Sequence, residues 1–222
     1  CSGLVGSEMC IRDSADADEF TSAALLTVYR THNITTQPNN ATGNEGGTSS
    51  YTVAGNTSSG SHTYQWSKSD NGVDYNTIPG ATSATYTTPT LVFADDNDDR
   101  FKCTLSLEGA ENDLVSVFAV QTVLRVISIS QQPQPQTVIE GQSATFSITA
   151  AITSGSLNYQ WQRSQDNGNN WSTIVGATSS SYTTPAQPFP TVNNLYRCVL
   201  SNSNAISLTS DAAAITVNES EF

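Results

Sequence analysis

The sequence predicts an all-β protein made of two β-sandwich domains in tandem, and three observations carry that expectation. The first is self-similarity. Tyr64-Gln65-Trp66 returns 95 residues later as Tyr159-Gln160-Trp161, and Cys103 returns at the same spacing as Cys198. A period of that length in a chain of 222 residues fits two domains of ordinary size. The second is alternation. Phe101, Cys103, Leu105 and Leu107 fall at every second position, as do Phe146, Ile148 and Ala150, the period that places side chains on one face of a strand. The third is composition: only 13% of residues are charged, so Ser, Thr, Asn and Gln must supply the polar surface, a usage that suits the solvent-facing sides of strands.

Residues 1–14 stand apart. They hold the single Met and two of the four Cys, and they show no alternation. Met9-Cys10-Ile11-Arg12-Asp13-Ser14 resembles a translated sequencing-adapter fragment, so the segment reads either as an artefact or as a non-structural tail. Residues 15–30 read as the remnant terminal strand of a preceding repeat, because Ser22-Ala23-Ala24-Leu25-Leu26-Thr27-Val28 matches Asp211-Ala212-Ala213-Ala214-Ile215-Thr216-Val217, which closes the last repeat. On that reading the chain is a piece of a longer array. The alternative is an ordinary N-terminal strand that pairs with the first domain.

The first domain is expected over 31–126. Gln37-Pro38 marks an edge strand, where a missing N–H is tolerated. Ser49 to Gly55 follows with Tyr51 and Val53 on one face, then His62 to Lys68 with Tyr64 and Trp66 sharing a face. Asp70-Asn71-Gly72 signals a hairpin turn. Tyr75 to Ile78 and Ala84 to Thr88 are short strands separated by Pro79-Gly80. Asp95 to Arg100 reads as an acidic loop, Phe101 to Leu107 as a strand, and Val115 to Val126 as the last strand. The second domain is expected over 127–217, with Gln132-Pro133, Asp166-Asn167-Gly168 and Val175-Gly176 repeating the punctuation. Trp171 takes the place of Tyr75. No Gly or Ser run separates the two, so the coupling should be stiff, and 218–222 form a tail.

A strand with a Trp, followed by an aromatic two residues ahead of a Cys, occurs as Trp66 with Phe101 and Cys103, and again as Trp161 with Tyr196 and Cys198. With Ile78-Pro79-Gly80-Ala81-Thr82-Ser83-Ala84-Thr85-Tyr86-Thr87, this resembles the immunoglobulin-like domains of bacteria and bacteriophages, as in phage virion structural proteins. The resemblance covers Thr31 to Val217. It implies a core of Trp66, Cys103, Val53 and Phe101 in one domain and of Trp161, Cys198, Ile148 and Tyr196 in the other. It departs from antibody-type domains where Val53 and Ile148 occupy the place of the partner cysteine. The missing bridge forgoes about 2–5 kcal/mol, comparable with the roughly 3–5 kcal/mol of one buried Trp, and folding in a reducing compartment is compatible with it. Phe101 lacks the hydroxyl of the tyrosine corner; Tyr196 keeps it.

Eight Lys and Arg against twenty Asp and Glu leave a formal charge of −12, which repels nucleic-acid phosphates and anionic membranes. No run reaches the roughly 18 apolar residues of a membrane helix. Nucleophilic catalysis needs a base within hydrogen-bond reach, but the only histidines, His32 and His62, do not recur in the second repeat, so no enzyme is expected. Cys103 and Cys198, in inward phase, read as inert core thiols. Asp95, Asp96, Asn97, Asp98 and Asp99 lack EF-hand spacing and read as a solvated loop, with weak Ca²⁺ binding as the alternative. No cofactor or metal is expected. Asn33, Asn40, Asn56, Asn170 and Asn218 begin glycosylation triplets, which arise easily by chance in so polar a chain.

Tyr75 and Trp171 follow the hairpin turns, where each either covers its own core or offers a surface contact to a sugar or a protein. The resemblance implies a non-catalytic segment of a virion protein, in a tail, a fibre or a capsid decoration, that spaces and weakly adheres. Its partner would be a cell-surface glycan or another virion or surface protein, and its location the virion or the cell exterior. The alternative is a spacer in a bacterial adhesin or a secreted carbohydrate-active enzyme.

Overall fold

The computed structural model describes residues 27–191 and 194–221. The segment 1–14 and most of the expected remnant strand 15–30 lie outside the described residues. Within the remnant, Thr27 to Tyr29 carry no strand, and Arg30 makes an isolated bridge to Ala110.

The described chain is almost entirely β. Its first half runs β1 (His32–Thr36), β2 (Ala41–Asn44), β3 (Ser50–Thr52), β4 (Ala54–Thr57), β5 (Thr63–Ser69), β6 (Asn76–Thr77), β7 (Thr85–Thr87), the helical turn α1 (Phe93–Asp96), β8 (Arg100–Ser106), β9 (Leu114–Val115) and β10 (Ala119–Leu124). The second half repeats the order as β11 (Ile127–Gln131), β12 (Gln136–Ile139), β13 (Thr145–Ser147), β14 (Thr149–Ile152), β15 (Asn158–Ser164), β16 (Ser172–Thr173), β17 (Ser181–Thr183), β18 (Leu195–Ser201), β19 (Leu208–Thr209) and β20 (Ala213–Asn218).

Each half builds one larger sheet, β2-β10-β8-β5-β6 with β9 on β8, and β12-β20-β18-β15-β16 with β19 on β18. Two-stranded ladders, β1-β4 with β3-β7 and β11-β14 with β13-β17, supply the opposing layer. These are two tandem β-sandwiches. The seven-residue antiparallel ladders β5-β8 and β15-β18 set Trp66 opposite Cys103 and Trp161 opposite Cys198, so Trp and Cys share the inner face. Along β8, buried Phe101, Cys103 and Leu105 alternate with half-exposed Arg100, Lys102, Thr104 and Ser106.

The described residues pack as two compact units, one drawn from 27–40, Ser50–Tyr86 and Arg100–Val120, the other from Ala41–Ser49, Thr87–Asp99, 121–191 and 194–221. In the first, Tyr51 stacks on Phe101 with ring centroids 4.6 Å apart while Trp66 and Tyr86 lie tilted beside them. In the second, Phe146 stacks on Tyr196 at the same 4.6 Å, beside Trp161 and Tyr182. The phenol and phenyl have exchanged strands between the repeats, which keeps the ring volume of the pair constant. Trp66 and Trp161 are both 0% exposed. Each donates its indole N–H to a backbone carbonyl, Ser83 and Ser179 respectively, at 2.9 Å, so neither ring leaves a buried donor unsatisfied.

Three local expectations need correction. Gln37-Pro38 is not an edge strand: β1 precedes it, Pro38 is buried, and the chain there crosses between layers so that β2 pairs parallel to β10. Pro133 marks the same crossover between β11 and β12. A residue without N–H ends the β1-β4 ladder and frees the chain to change sheets. The last strand is also interrupted, as β9 and then β10, because Ser116 turns its hydroxyl to accept the Cys103 N–H and the chain bulges there. Finally, the acidic segment is not a solvated loop. Phe93–Asp96 forms the helical turn, and Asp99 is 1% exposed.

Candidate functional site

Residues that alternate with a buried strand face must point away from the core, and that phase places cations on the outer side of the larger sheets. In the first repeat Lys102 sets its Nζ 3.8 Å from the ring centroid of Tyr75, and in the second Arg197 sets its guanidinium carbon 4.0 Å from that of Trp171. Arg197 is oriented by Gln162, whose Oε1 accepts its Nε–H at 2.8 Å, and the Trp171 indole donates to the Gly168 carbonyl at 3.1 Å. Tyr75 and Trp171 are each half-buried beside an outer-face cation. Each pair puts an aromatic surface beside a positive head group, a combination suited to a sugar ring carrying or adjoining negative charge.

Trp171 depends on the turn before it. Asp166 accepts from the Asn170 backbone N–H and side chain and from the Ser164 hydroxyl, and these bonds, led by the Asn170 backbone, hold its carboxyl down at about 2. Asn167 and Gly168 both take positive φ, 59° and 90°, which is the conformation an Asn-Gly turn supplies.

Among the core residues, Val53 is 1% exposed and Ile148 4%, and both Cys103 and Cys198 are free thiols. Burial pushes each thiol up to about 11, so neither is a thiolate near neutral pH. Tyr196 directs its hydroxyl to the Arg163 side chain.

The two histidines, distant in sequence, are brought together. His32 Nδ1 and His62 Nε2 lie 3.3 Å apart, and His32 Nε2 donates to the Asn112 carbonyl at 2.8 Å. That donation leaves Nδ1 of the neutral His32 as an acceptor for His62 N–H. Burial, and secondarily the charge of His32, lowers the His62 pKa. A cleft lined by Thr31, His32, Asn33, Asn56, Thr57 and Ser58 opens beside them. Among the described residues no three His, Cys, Asp or Glu side chains are grouped to hold a metal ion. No helix among them is long and apolar enough to cross a membrane.

Two repeated features escaped the reading of the sequence. Gln65 and Gln160, the middle residues of the Tyr-Gln-Trp motifs, donate through Nε2 to the carbonyls of Ile78 and Ile174 at 2.8 Å, fastening the next segment to the sheet. Arg30 and Arg125, again 95 residues apart, lead into the two repeats. Arg30 N–H donates to Gly109 O at 2.8 Å and Arg125 N–H to Asn204 O at 2.7 Å, while the Thr31 and Val126 N–H groups donate to the hydroxyls of Ser58 and Thr153. The offset was the available signal, but Arg30 lies one residue and Arg125 two residues ahead of where each repeat was expected to begin.

This architecture is that of two tandem β-sandwiches of immunoglobulin-like fold. The Sidekick-1 immunoglobulin domains 1–4 align with a TM-score of 0.52 at 14% identity, covering 86% of this chain and 50% of that one. The N-terminal four Ig domains of Dscam1 isoform 6.9 align at 0.45 and 15% identity, covering 88% and 47% of the two chains, and the tandem Ig repeats of Dlar at 0.35 and 18%, covering 85% and 98%. At such identities the likeness is one of fold, and among these three it rests on the Sidekick-1 alignment. A family model described as Domain of unknown function (DUF8696) matches residues 129–219. No curated protein matches the sequence.

Proposed function

We propose that this chain is a non-catalytic segment of an immunoglobulin-like array on the outside of a bacteriophage virion, in a tail, a fibre or a capsid decoration. It spaces neighbouring parts and adheres weakly to a host-surface glycan or to another surface protein. The observation that supports the adhesive half is a pair of an aromatic and a cation on the outer face of each larger sheet, Tyr75 with Lys102 in one and Trp171 with Arg197 in the other. Each contact would be weak. Repetition along an array raises avidity without any new contact, provided both can be engaged at once.

Glycan-array binding of the purified chain tests this reading. Trp171→Ala and Tyr75→Ala should each reduce the signal, and the double variant should abolish it. A signal that survives the double variant removes this face from any binding model. The parent gene tests the setting: a flanking tail-fibre or baseplate module agrees with the virion, whereas a signal peptide and wall anchor would assign the array to a bacterial surface.

A further inference from the structure

We propose that Glu140 and Phe189 form a docking corner for the Arg30 end of a second copy of this chain, so that copies associate head to tail.

The corner has an occupied counterpart inside the second compact unit, built from Glu45 and Phe93. There the Arg125 guanidinium carbon lies 3.6 Å from the Phe93 ring centroid, and Arg125 Nε donates to the Ser154 hydroxyl at 3.0 Å. The Ser154 hydroxyl donates in turn to Glu45 Oε2 at 2.8 Å, and Thr153 donates to the same oxygen. These hydroxyls, led by Thr153, hold the Glu45 carboxyl below the usual carboxylate range. An aromatic face, a carboxylate, an arginine and two hydroxyls thus satisfy one another.

The backbone that carries Glu45 recurs around Glu140, and Phe189 follows Gln187 as Phe93 follows Leu91, although Phe93 opens a helical turn and Phe189 precedes the cis Pro190. Glu45 N–H donates to Leu124 O at 2.7 Å, and Glu140 N–H to Asn218 O at 2.8 Å. Gly46 N–H donates to Leu91 O at 2.9 Å, and Gly141 N–H to Gln187 O at 2.8 Å. At the second corner, however, Glu140 is exposed and Phe189 is 43% exposed. The ladder registers make Asn218 the equivalent of Leu124, since they face Ile139 and Asn44 respectively. Glu219 therefore stands where Arg125 stands. The chain's own path out of β20 therefore brings a like charge to Glu140 and no arginine, which leaves the corner open to an arginine from a second copy.

The chain carries that complement elsewhere. Arg30 is exposed and stands at the position of Arg125, with Ser58 and Ser59 at the positions of Thr153 and Ser154. Arg30 Nη1 is anchored on Glu108 O at 2.8 Å, which holds the guanidinium in place. Arg30, Ser58 and Ser59 of one copy can therefore meet Phe189 and Glu140 of the next. The two surfaces differ, so the contact is heterologous, and each copy that uses one surface keeps the other for a further copy. With −12 on every copy, long-range repulsion opposes approach at low ionic strength. Association should be strongest near 0.15 M salt, where a Debye length of about 8 Å screens the net charge more than the contact.

Sedimentation equilibrium of the full chain up to millimolar concentration, at about 0.15 M salt, tests the proposal, with thermal melts to verify that each variant is folded. The weight-average mass should climb with concentration without a dimer plateau. Glu140→Arg alone and Arg30→Glu alone should each weaken association about ten-fold, because each puts like charges on the two sides of the bridging hydroxyl. Phe189→Ala should weaken it with the charges intact. Mixing the two charge-reversed variants, or combining both changes in one chain, should restore it. A constant monomer mass, a plateau at dimer, or association indifferent to charge reversal overturns the proposal.

Discussion

At the scale of single residues, the outcome turns on what sits beside each polar or reactive atom. Cys103 and Cys198 stay protonated and unreactive while the sandwiches hold, since burial keeps both near 11. Iodoacetamide at pH 8, followed by peptide mapping, should leave both unmodified in the native protein and label both in denaturant. Trp161→Ala should cost about 3–5 kcal/mol in chemical denaturation, because it opens a cavity and strands the Ser179 carbonyl. His62 gives a pH dependence of known sign. Its folded pKa is lowered, so the unfolded chain takes up protons first and stability falls as pH drops through and below the ordinary histidine value. Melting temperatures at pH 7 and pH 5 should therefore differ more for the wild type than for His62→Gln. The sequence showed both histidines but not their meeting, because a 3.3 Å contact between residues 30 apart is made by strand topology and not by local pattern.

At the scale of elements, the Asp166 turn illustrates how a strand end is set by hydrogen bonds. A carboxyl held at about 2 contributes stability that is present above the ordinary aspartate value and disappears as pH falls towards 2. Asp166→Ala should accordingly melt below the wild type at pH 7, and the gap should close near pH 2. The Arg125 lead-in is a second element-level device. Arg125→Ala removes the stack on Phe93 and the bonds to Ser154, Asn202 and Asn204, and should lower stability by about 1–3 kcal/mol. Inner and outer faces of the long strands were legible as alternation, since period two follows from strand geometry alone. The breaks were not. Pro38 and Pro133 were visible as ladder-breakers, but that the chain uses them to change sheets depends on the neighbours waiting in the other layer, β10 and β20.

At the scale of the whole molecule, repetition underlies both the proposed function and the proposed assembly. The aromatic and cationic face occurs once per repeat, and the arginine that leads each repeat occurs once per repeat as well, but among the described residues only Arg125 meets an aromatic ring and a carboxylate-bound hydroxyl. The proposed function and the proposed head-to-tail contact use different residues. Loss of glycan signal in Trp171→Ala and loss of self-association in Glu140→Arg should thus be independent, which separate measurements on each variant will establish.

The 95-residue period, the inward phase of Trp66, Cys103, Trp161 and Cys198, and the aliphatic residues at the bridge positions were set by the order of amino acids, because strand periodicity converts sequence spacing directly into a face. Which charges meet which rings was decided only by folding. Lys102 and Tyr75, or Arg125 and Phe93, lie on segments far apart in the chain, and their approach is a property of sheet order and crossover that no local pattern encodes.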